Sequence, residues 1–179
     1  MHVKKRFPIL CGRSGFTLLE LLVTLAIAAV LAAVVLGGAS ALVPRSQVKS
    51  AAQKLRADLQ QAKMEAVKNN RECLVTFTEA NGTQGSYQAC FDNNDDDVCN
   101  EDDGDEILAQ IDLADDDYKH AELSNAAFTN GTHFRFNARG MPLNDTGGWS
   151  AGTVGITLSN DASYSLSIIL SPTGRIRIE

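Results

Sequence analysis

The stretch that decides the fold is Arg13 to Leu22, RSGFTLLELL. It opens an apolar run in which Glu20 is the only charged residue between Phe16 and Val43. A helix needs about 20 apolar residues to cross a hydrocarbon core of roughly 30 Å, so the run predicts a membrane-spanning helix over residues 16–43. The residues before it are basic and include no acid, which predicts a cytoplasmic N-terminus and an exported remainder; the basic residues are Lys4, Lys5, Arg6 and Arg13.

Three kinds of processing fit this N-terminus. A secretory signal would be cut after the apolar run, but residues 37–41 match a cleavage site only loosely and the run is long for such a signal. A lipoprotein signal would end before Cys11, but residues 7–10 are too few to insert. Cleavage between Gly15 and Phe16 instead leaves the helix in the membrane with a free amine at its tip, and this is the interpretation that we favour.

Glu20 then gains a chemical role. A carboxylate in hydrocarbon costs roughly 2.5–3.5 kcal/mol on insertion scales, so it usually has a partner. The new α-amine of Phe16 is four positions away, which in a helix is the same face. If the amine of one subunit meets Glu20 of its neighbour, packing becomes directional, as filament assembly requires. The alternative is that Glu20 lies shallow enough to reach the headgroups.

The N-terminal motif is similar to that of a known family. Gly15-Phe16-Thr17-Leu18-Leu19-Glu20 behind a basic leader resembles the class III signal of type IV pilins and type II secretion pseudopilins. The resemblance implies cleavage after Gly15 by the prepilin peptidase, N-methylation of Phe16 and subunit docking through Glu20. It also implies a single-pass protein of the bacterial inner membrane whose C-terminal domain lies in the periplasm, and whose partners are other pilin-type subunits.

The remainder of the chain predicts an α+β domain. Residues 44–70 carry a narrow apolar stripe at alternating four- and three-residue steps, which predicts an amphipathic continuation of the helix. From residue 71 the apolar period changes to two, which predicts antiparallel strands over 71–179. Four segments follow: leader 1–15, assembly helix 16–43, amphipathic helix 44–70 and sheet domain 71–179. A long N-terminal helix packed against an antiparallel sheet is also the pilin fold that the resemblance implies. The predicted strands are 73–78, 86–91, 106–111, 132–137, 153–159, 164–170 and 175–178.

The C-terminal half is similar to a narrower group. Segments 136–142, 155–159 and 168–178, with 62–67 on the helix, resemble the GspH/FimT group of minor pseudopilins and minor pilins. The resemblance implies a minor subunit of a type II secretion pseudopilus or a type IV pilus. Many relatives have a proline early in the apolar helix, whereas in this chain the first proline after the cleavage point is Pro44.

Three cysteines belong to the exported part. Cys73 is in phase with Val75 and Phe77, which indicates a core-facing thiol, whereas Cys90 is out of phase with the apolar residues of its own strand. An exported bacterial domain lies in an oxidising compartment, so a disulfide is expected. We favour Cys90–Cys99, with Cys73–Cys90 as the alternative.

An acidic loop follows the second predicted strand. Residues 92–117 hold 13 of the 22 acids and no Lys or Arg. Asp92, Asn94 and Asp96 have the one-three-five spacing of an EF-hand loop. The match then fails, because Asp97 stands where that loop needs Gly and Asp103 where it needs Glu. A solvated loop without a cofactor is therefore the expectation, and structural Ca²⁺ the alternative. Its candidate ligands are Asp92, Asn94, Asp96, Asp103 and Asp105.

The charge distribution allows a second function. Loss of the leader leaves 12 Lys and Arg against 22 acids, a net charge of −10. Outside the acidic loop the net charge of this remaining chain is slightly positive. Arg175 and Arg177 alternate on the last predicted strand, so both guanidinium groups can face phosphates. They resemble the Gly-Arg-x-Arg ending of FimT-like minor pilins that bind DNA in natural transformation, and Lys119, Arg135 and Arg139 could extend the patch. An edge strand kept soluble by arginines is the alternative.

No grouping of residues indicates catalysis. The sequence contains no phosphate loop and no nucleophile with motif context, so we expect an assembly protein rather than an enzyme.

Overall fold

The computed structural model describes residues 16–81, 84–129 and 131–179, without the side chains of residues 34–41. The predicted leader 1–15, with Gly15, lies outside the described residues. The described part of the chain divides into two compact units, with the division between Ser40 and Ala41. The predicted segment boundaries after residues 15, 43 and 70 stay predictions.

One long helix, α1, runs over Leu18–Asn69 and contains Pro44. It ends in a left-handed residue, Asn70, at φ 51°. The amide of Asn70 donates to the Val67 carbonyl, and the amide of Arg71 donates to the Ala66 carbonyl. This is the Schellman arrangement, which asparagine tolerates better than most residues. No helical segment of the described residues has the length and apolarity needed to cross a bilayer.

The second half of α1 is buried along the predicted stripe. Because these residues return to one face every three or four positions, they form the face that contacts the sheets. The buried residues are Val48, Ala51, Ala52, Leu55, Leu59, Ala62 and Ala66. The amphipathic prediction for 44–70 is therefore confirmed at the level of packing.

The described strands form two antiparallel sheets. Sheet A has the order β3-β2-β1-β5-β6 and sheet B the order β4-β7-β8-β9. The strands of sheet A are β1 Cys73–Thr78, β2 Ser86–Phe91, β3 Glu106–Asp112, β5 His133–Phe136 and β6 Pro142–Leu143. Those of sheet B are β4 Ala121–Phe128, β7 Gly152–Leu158, β8 Asp161–Leu170 and β9 Ile176–Ile178. The α+β prediction is confirmed, with the strands divided between two sheets.

The main apolar core of the described residues joins α1 to both sheets. Its aromatic part is a cluster in which neighbouring ring centroids lie 4.8–6.4 Å apart. The rings belong to Phe77, Tyr87, Phe128, Phe134 and Phe136. Offset and edge-to-face aromatic pairs of this kind add to the stability given by burial alone.

Candidate assembly site and the surfaces of the sheet domain

The start of α1 is fixed by Thr17. Its hydroxyl oxygen accepts the Glu20 amide at 3.2 Å, and its carbonyl accepts the Leu21 amide at 3.2 Å. Thr17 and Glu20 thus stand three residues apart in the order of a capping box. Glu20 also lies in the first turn, where a carboxylate is favoured by the helix dipole.

Phe16 precedes the helix. The helix begins at Leu18, so helical spacing does not set the distance from Phe16 to Glu20, contrary to the geometry assumed from the sequence. The two residues are still neighbours in the chain at the tip of α1. The capping role of Thr17 was missed, although the Thr-x-x-Glu pattern in the sequence signals it.

Phe16 and the first four turns of α1 expose an apolar surface. Ten large apolar side chains of this segment are more than half exposed, and Phe16 is the most exposed at 81%. They are Phe16, Leu18, Leu19, Leu21, Leu22, Val23, Leu25, Ile27, Val30 and Leu31. A continuous apolar surface of this size marks a protein or membrane contact rather than a solvated face.

Arg135 organises the acidic loop. Its guanidinium donates to the buried carboxylate of Asp92 at 3.0 Å and to Asp97 at 2.5 Å. The Asp92 carboxylate also accepts the amides of Asp95 and Asp97, at 2.7 and 3.1 Å. Burial raises the pKa of Asp92, but the amide donors and Arg135 outweigh it, so the pKa lies below its usual value. A cation from 43 positions away therefore neutralises part of the loop.

The predicted calcium ligands are largely occupied by protein donors. Asp105, which is buried, accepts the amides of Asn93 and Asn100 at 2.8 and 3.0 Å. Asn94 donates to Asp96 at 3.0 Å. Asp103 accepts the Asn100 side chain at 2.7 Å. Carboxylate oxygens of Asp92, Asp96 and Asp105 come within 4.8 Å of one another, which brings three of the five candidate ligands together. Calcium binding stays a prediction.

The cysteines lie on opposite faces of sheet A. Cys90 and Cys99 form a disulfide, the pairing favoured from strand alternation, and they pack with Leu74 outside the main core. Cys73 is a free thiol in the core, where burial raises its pKa to about 12. A thiol this buried and this weakly acidic is a poor nucleophile.

Arg175 and Arg177 are both exposed and flank the buried Ile176, but β9 begins at Ile176, so Arg175 lies just before the strand rather than within it as predicted. Arg177 pairs with Glu179 at 3.1 Å. Arg135 does not extend this patch, because its guanidinium binds Asp92 and Asp97.

A buried polar contact between α1 and sheet A was also missed. The Asp58 carboxylate, in a residue only 3% exposed, accepts the Tyr87 hydroxyl at 2.7 Å and the Lys54 ammonium at 2.6 Å. The i, i+4 spacing of Lys54 and Asp58 is visible in the sequence, but the Tyr87 contact is not.

Two comparisons concern the N-terminal motif and the fold. Residues 11–36 match the prokaryotic N-terminal methylation motif. Two crystal structures of the type IV minor pilin FimU of Pseudomonas aeruginosa PAO1 share the fold. The one in space group P21 has a TM-score of 0.54 at 20% identity, covering 75% of this chain and 90% of that one. The one in P65 has a TM-score of 0.50 at 19% identity, covering 73% and 91%. The chain therefore has a pilin-like fold.

The particular family follows from the sheet domain. Residues 51–174, more than half of the chain, match the model of the type II transport protein GspH. The chain belongs to the GspH family of minor pseudopilins and minor pilins, whose members are structural subunits that assemble with other pilin-type subunits. No curated protein matches it in sequence.

Proposed function

We propose that this chain is a minor subunit of a type II secretion pseudopilus, assembled through its N-terminal helix. The observation that carries the proposal is the exposed apolar surface of α1 with Glu20 at its tip. Buried among neighbouring helices, this surface stabilises a filament, and the lone carboxylate then needs a cationic partner. The α-amine of Phe16 on a neighbouring subunit, freed by prepilin peptidase, supplies it.

Assembly then follows from three steps. Cleavage after Gly15 creates the charged amine while the helix is still held in the inner membrane with the sheet domain in the periplasm. Docking of Glu20 on a neighbour's amine pairs two charges that would otherwise lie uncompensated in hydrocarbon. The apolar helices then bundle as the subunit enters the filament, and no catalytic step by this chain is required.

The experiment compares Glu20→Gln with Glu72→Gln, which neutralises an exposed acid of the sheet domain. Both full-length variants are expressed in the native host, and the sheared filament fraction and the secreted proteins are quantified. Leaving a buried charge without its partner costs about 3–5 kcal/mol, so we expect Glu20→Gln to reduce incorporation by at least about tenfold. Equal incorporation of both variants would refute the role of Glu20.

A type IV pilus subunit that binds DNA is the second candidate, and the exposure of Arg175, just before β9, and of Arg177, within it, favours it. The test is DNA binding by the full-length chain in detergent at several salt concentrations. Salt-sensitive binding that is lost in Arg175→Gln/Arg177→Gln, and kept in the control Arg56→Gln, would support this function. Binding that is absent, or unchanged in the double variant, would exclude it.

A further inference from the structure

Two turns from different sheets meet on one side chain of α1. The first turn, 137–140, connects β5 to β6, and the second, 171–174, connects β8 to β9. Lys63 donates to the Gly174 carbonyl at 2.9 Å. A Cβ on Gly174 would lie 2.3 Å from the Gly140 carbonyl oxygen, and a Cβ on Gly140 would lie 2.7 Å from the Lys63 side chain. Both glycines also have positive φ, so this contact depends on glycine at both positions.

Each turn is held by its own hydrogen bonds. The Asn137 side chain accepts the amides of Arg139 and Met141 at 2.9 and 3.0 Å. The Ser171 hydroxyl accepts the Arg175 amide at 3.1 Å. The residues beside the turns are therefore preorganised, which lowers the ordering cost of a partner that binds them.

An apolar groove opens beside the joined turns. It has a volume of about 260 Å³ and is lined by Met141, Trp149, Pro172 and Thr173. Trp149 is the only tryptophan of the chain and is 58% exposed. Tryptophan and arginine dominate the hot spots of protein interfaces, so an exposed Trp in a preformed groove marks a contact site.

Two exposed arginines adjoin the joined turns. Arg139 precedes Gly140 and Arg175 follows Gly174, so each stands two positions along the chain from a residue that lines the groove, Met141 or Thr173. Within the described residues, neither guanidinium has a carboxylate within 4.0 Å, whereas Arg135 and Arg177 do. In a mature chain of net charge −10, two unpaired arginines at an apolar groove select an acidic partner.

We propose that this groove, defined by Met141, Trp149, Pro172 and Thr173, docks a segment of another pilin-type subunit in which an apolar side chain stands beside an acidic one. The apolar side chain fills the groove against Trp149, and the acid pairs with Arg139 and Arg175. The proposal rests on the proposed filament role and names a second contact, in the sheet domain, besides the helix. Nucleic acid fits less well, because its affinity depends on neutralising many phosphates and only two free guanidinium groups flank the groove.

The test places a photo-crosslinking amino acid at Thr173 of the full-length chain in the native host. The matched control carries it at Ser163, an exposed residue near the start of β8. Crosslinked partners are identified by mass spectrometry, and the amount of the chain in the sheared filament fraction is measured in the same cells. We expect a crosslink from Thr173 to another subunit with a prepilin-type N-terminus, and none from Ser163.

Charge variants then test the role of Arg139 and Arg175. Arg139→Glu/Arg175→Glu should reduce the Thr173 crosslink at least about tenfold, since like charges at an interface are strongly unfavourable. Arg139→Lys/Arg175→Lys should retain the crosslink, and Lys119→Glu, an exposed charge reversal elsewhere, should leave it unchanged.

The outcomes separate this proposal from the filament role. A chain that enters filaments without a Thr173 crosslink to a pilin-type subunit would overturn the groove alone. A crosslink to nucleic acid or only to a second copy of this chain would also overturn it. A crosslink to another pilin-type subunit with no chain in filaments would support the groove and refute the filament role. If the chain neither enters filaments nor gives a Thr173 crosslink to a pilin-type subunit, both the groove and the filament role are refuted.

Discussion

Replacing Tyr87 with phenylalanine removes one hydroxyl from the contact between α1 and sheet A. The lost bond is the 2.7 Å contact from the Tyr87 hydroxyl to the Asp58 carboxylate, which is almost fully buried. Burial raises the pKa of Tyr87 far above its usual value, and the hydrogen bond and charge of Asp58 raise it further. The hydroxyl therefore stays protonated and donates at every pH of interest.

The expected magnitude follows from the charge of the acceptor. A hydrogen bond to a charged group contributes about 1.5–3 kcal/mol, and Tyr87→Phe leaves one buried carboxylate oxygen without its donor. Lys54 still binds the other oxygen, so the loss should stay within this range. The ring of Tyr87 packs against Phe77 and is unchanged by the substitution.

The assay is urea unfolding of the full-length chain in detergent, followed by circular dichroism of the sheet domain. The matched control is Tyr164→Phe, whose ring is half-buried and whose hydroxyl has no hydrogen-bond partner among the described residues. A double-mutant cycle with Asp58→Asn isolates the pair. A loss of unfolding free energy below about 0.5 kcal/mol, equal to the control, would refute the structural role of this contact.

Three further predictions concern the acidic loop. Cys90→Ser/Cys99→Ser should lower the unfolding free energy by about 2–3 kcal/mol, because the disulfide closes a short loop; urea unfolding measures this, and an unchanged midpoint would contradict it. Arg135→Gln should cost about 1.5–3 kcal/mol at neutral pH, because buried Asp92 loses a charge-assisted bond. The pKa of Asp92 is lowered in the folded state, so its contribution is present above about pH 4, the usual aspartate pKa, and is lost as the pH falls through the folded value. The difference between wild type and Arg135→Gln should therefore shrink on acidification, and a constant difference would count against this pairing. A chelator should leave the melting midpoint unchanged, because Arg135 and backbone amides already satisfy the buried carboxylates; a lowered midpoint would instead support bound calcium.

The helical half of the fold could be predicted from sequence because its signals are local. Apolar spacing defined the buried stripe of α1. Alternation also placed Cys73 and Cys90 on opposite faces of sheet A, since side chains in a strand alternate with a period of two.

Two strands that the sequence analysis did not predict, β4 and β6, lack such local signals. β4 has the sequence AELSNAAF, which is poor in β-branched residues, and it contains a register shift between Leu123 and Asn125. It is a strand because it pairs with β7 and buries Ala121, Leu123 and Ala126, which is a tertiary effect. β6 has only two residues and is defined by its pairing with β5.

The candidate surfaces depend even more on distant contacts. Arg135 meets Asp92 across 43 positions, so the sequence suggested a basic patch where the structure has a neutralised loop. The groove beside Trp149 is lined by residues next to both the Gly140 and the Gly174 turns, and nothing local to either turn indicates the other.

The measurement that tests the account most directly is the intact mass of the chain recovered from sheared filaments of the native host. Directional assembly requires a free amine beside Glu20, so the chain should begin at N-methylated Phe16. A chain in the filaments that still begins at Met1, with the leader attached, would contradict the account.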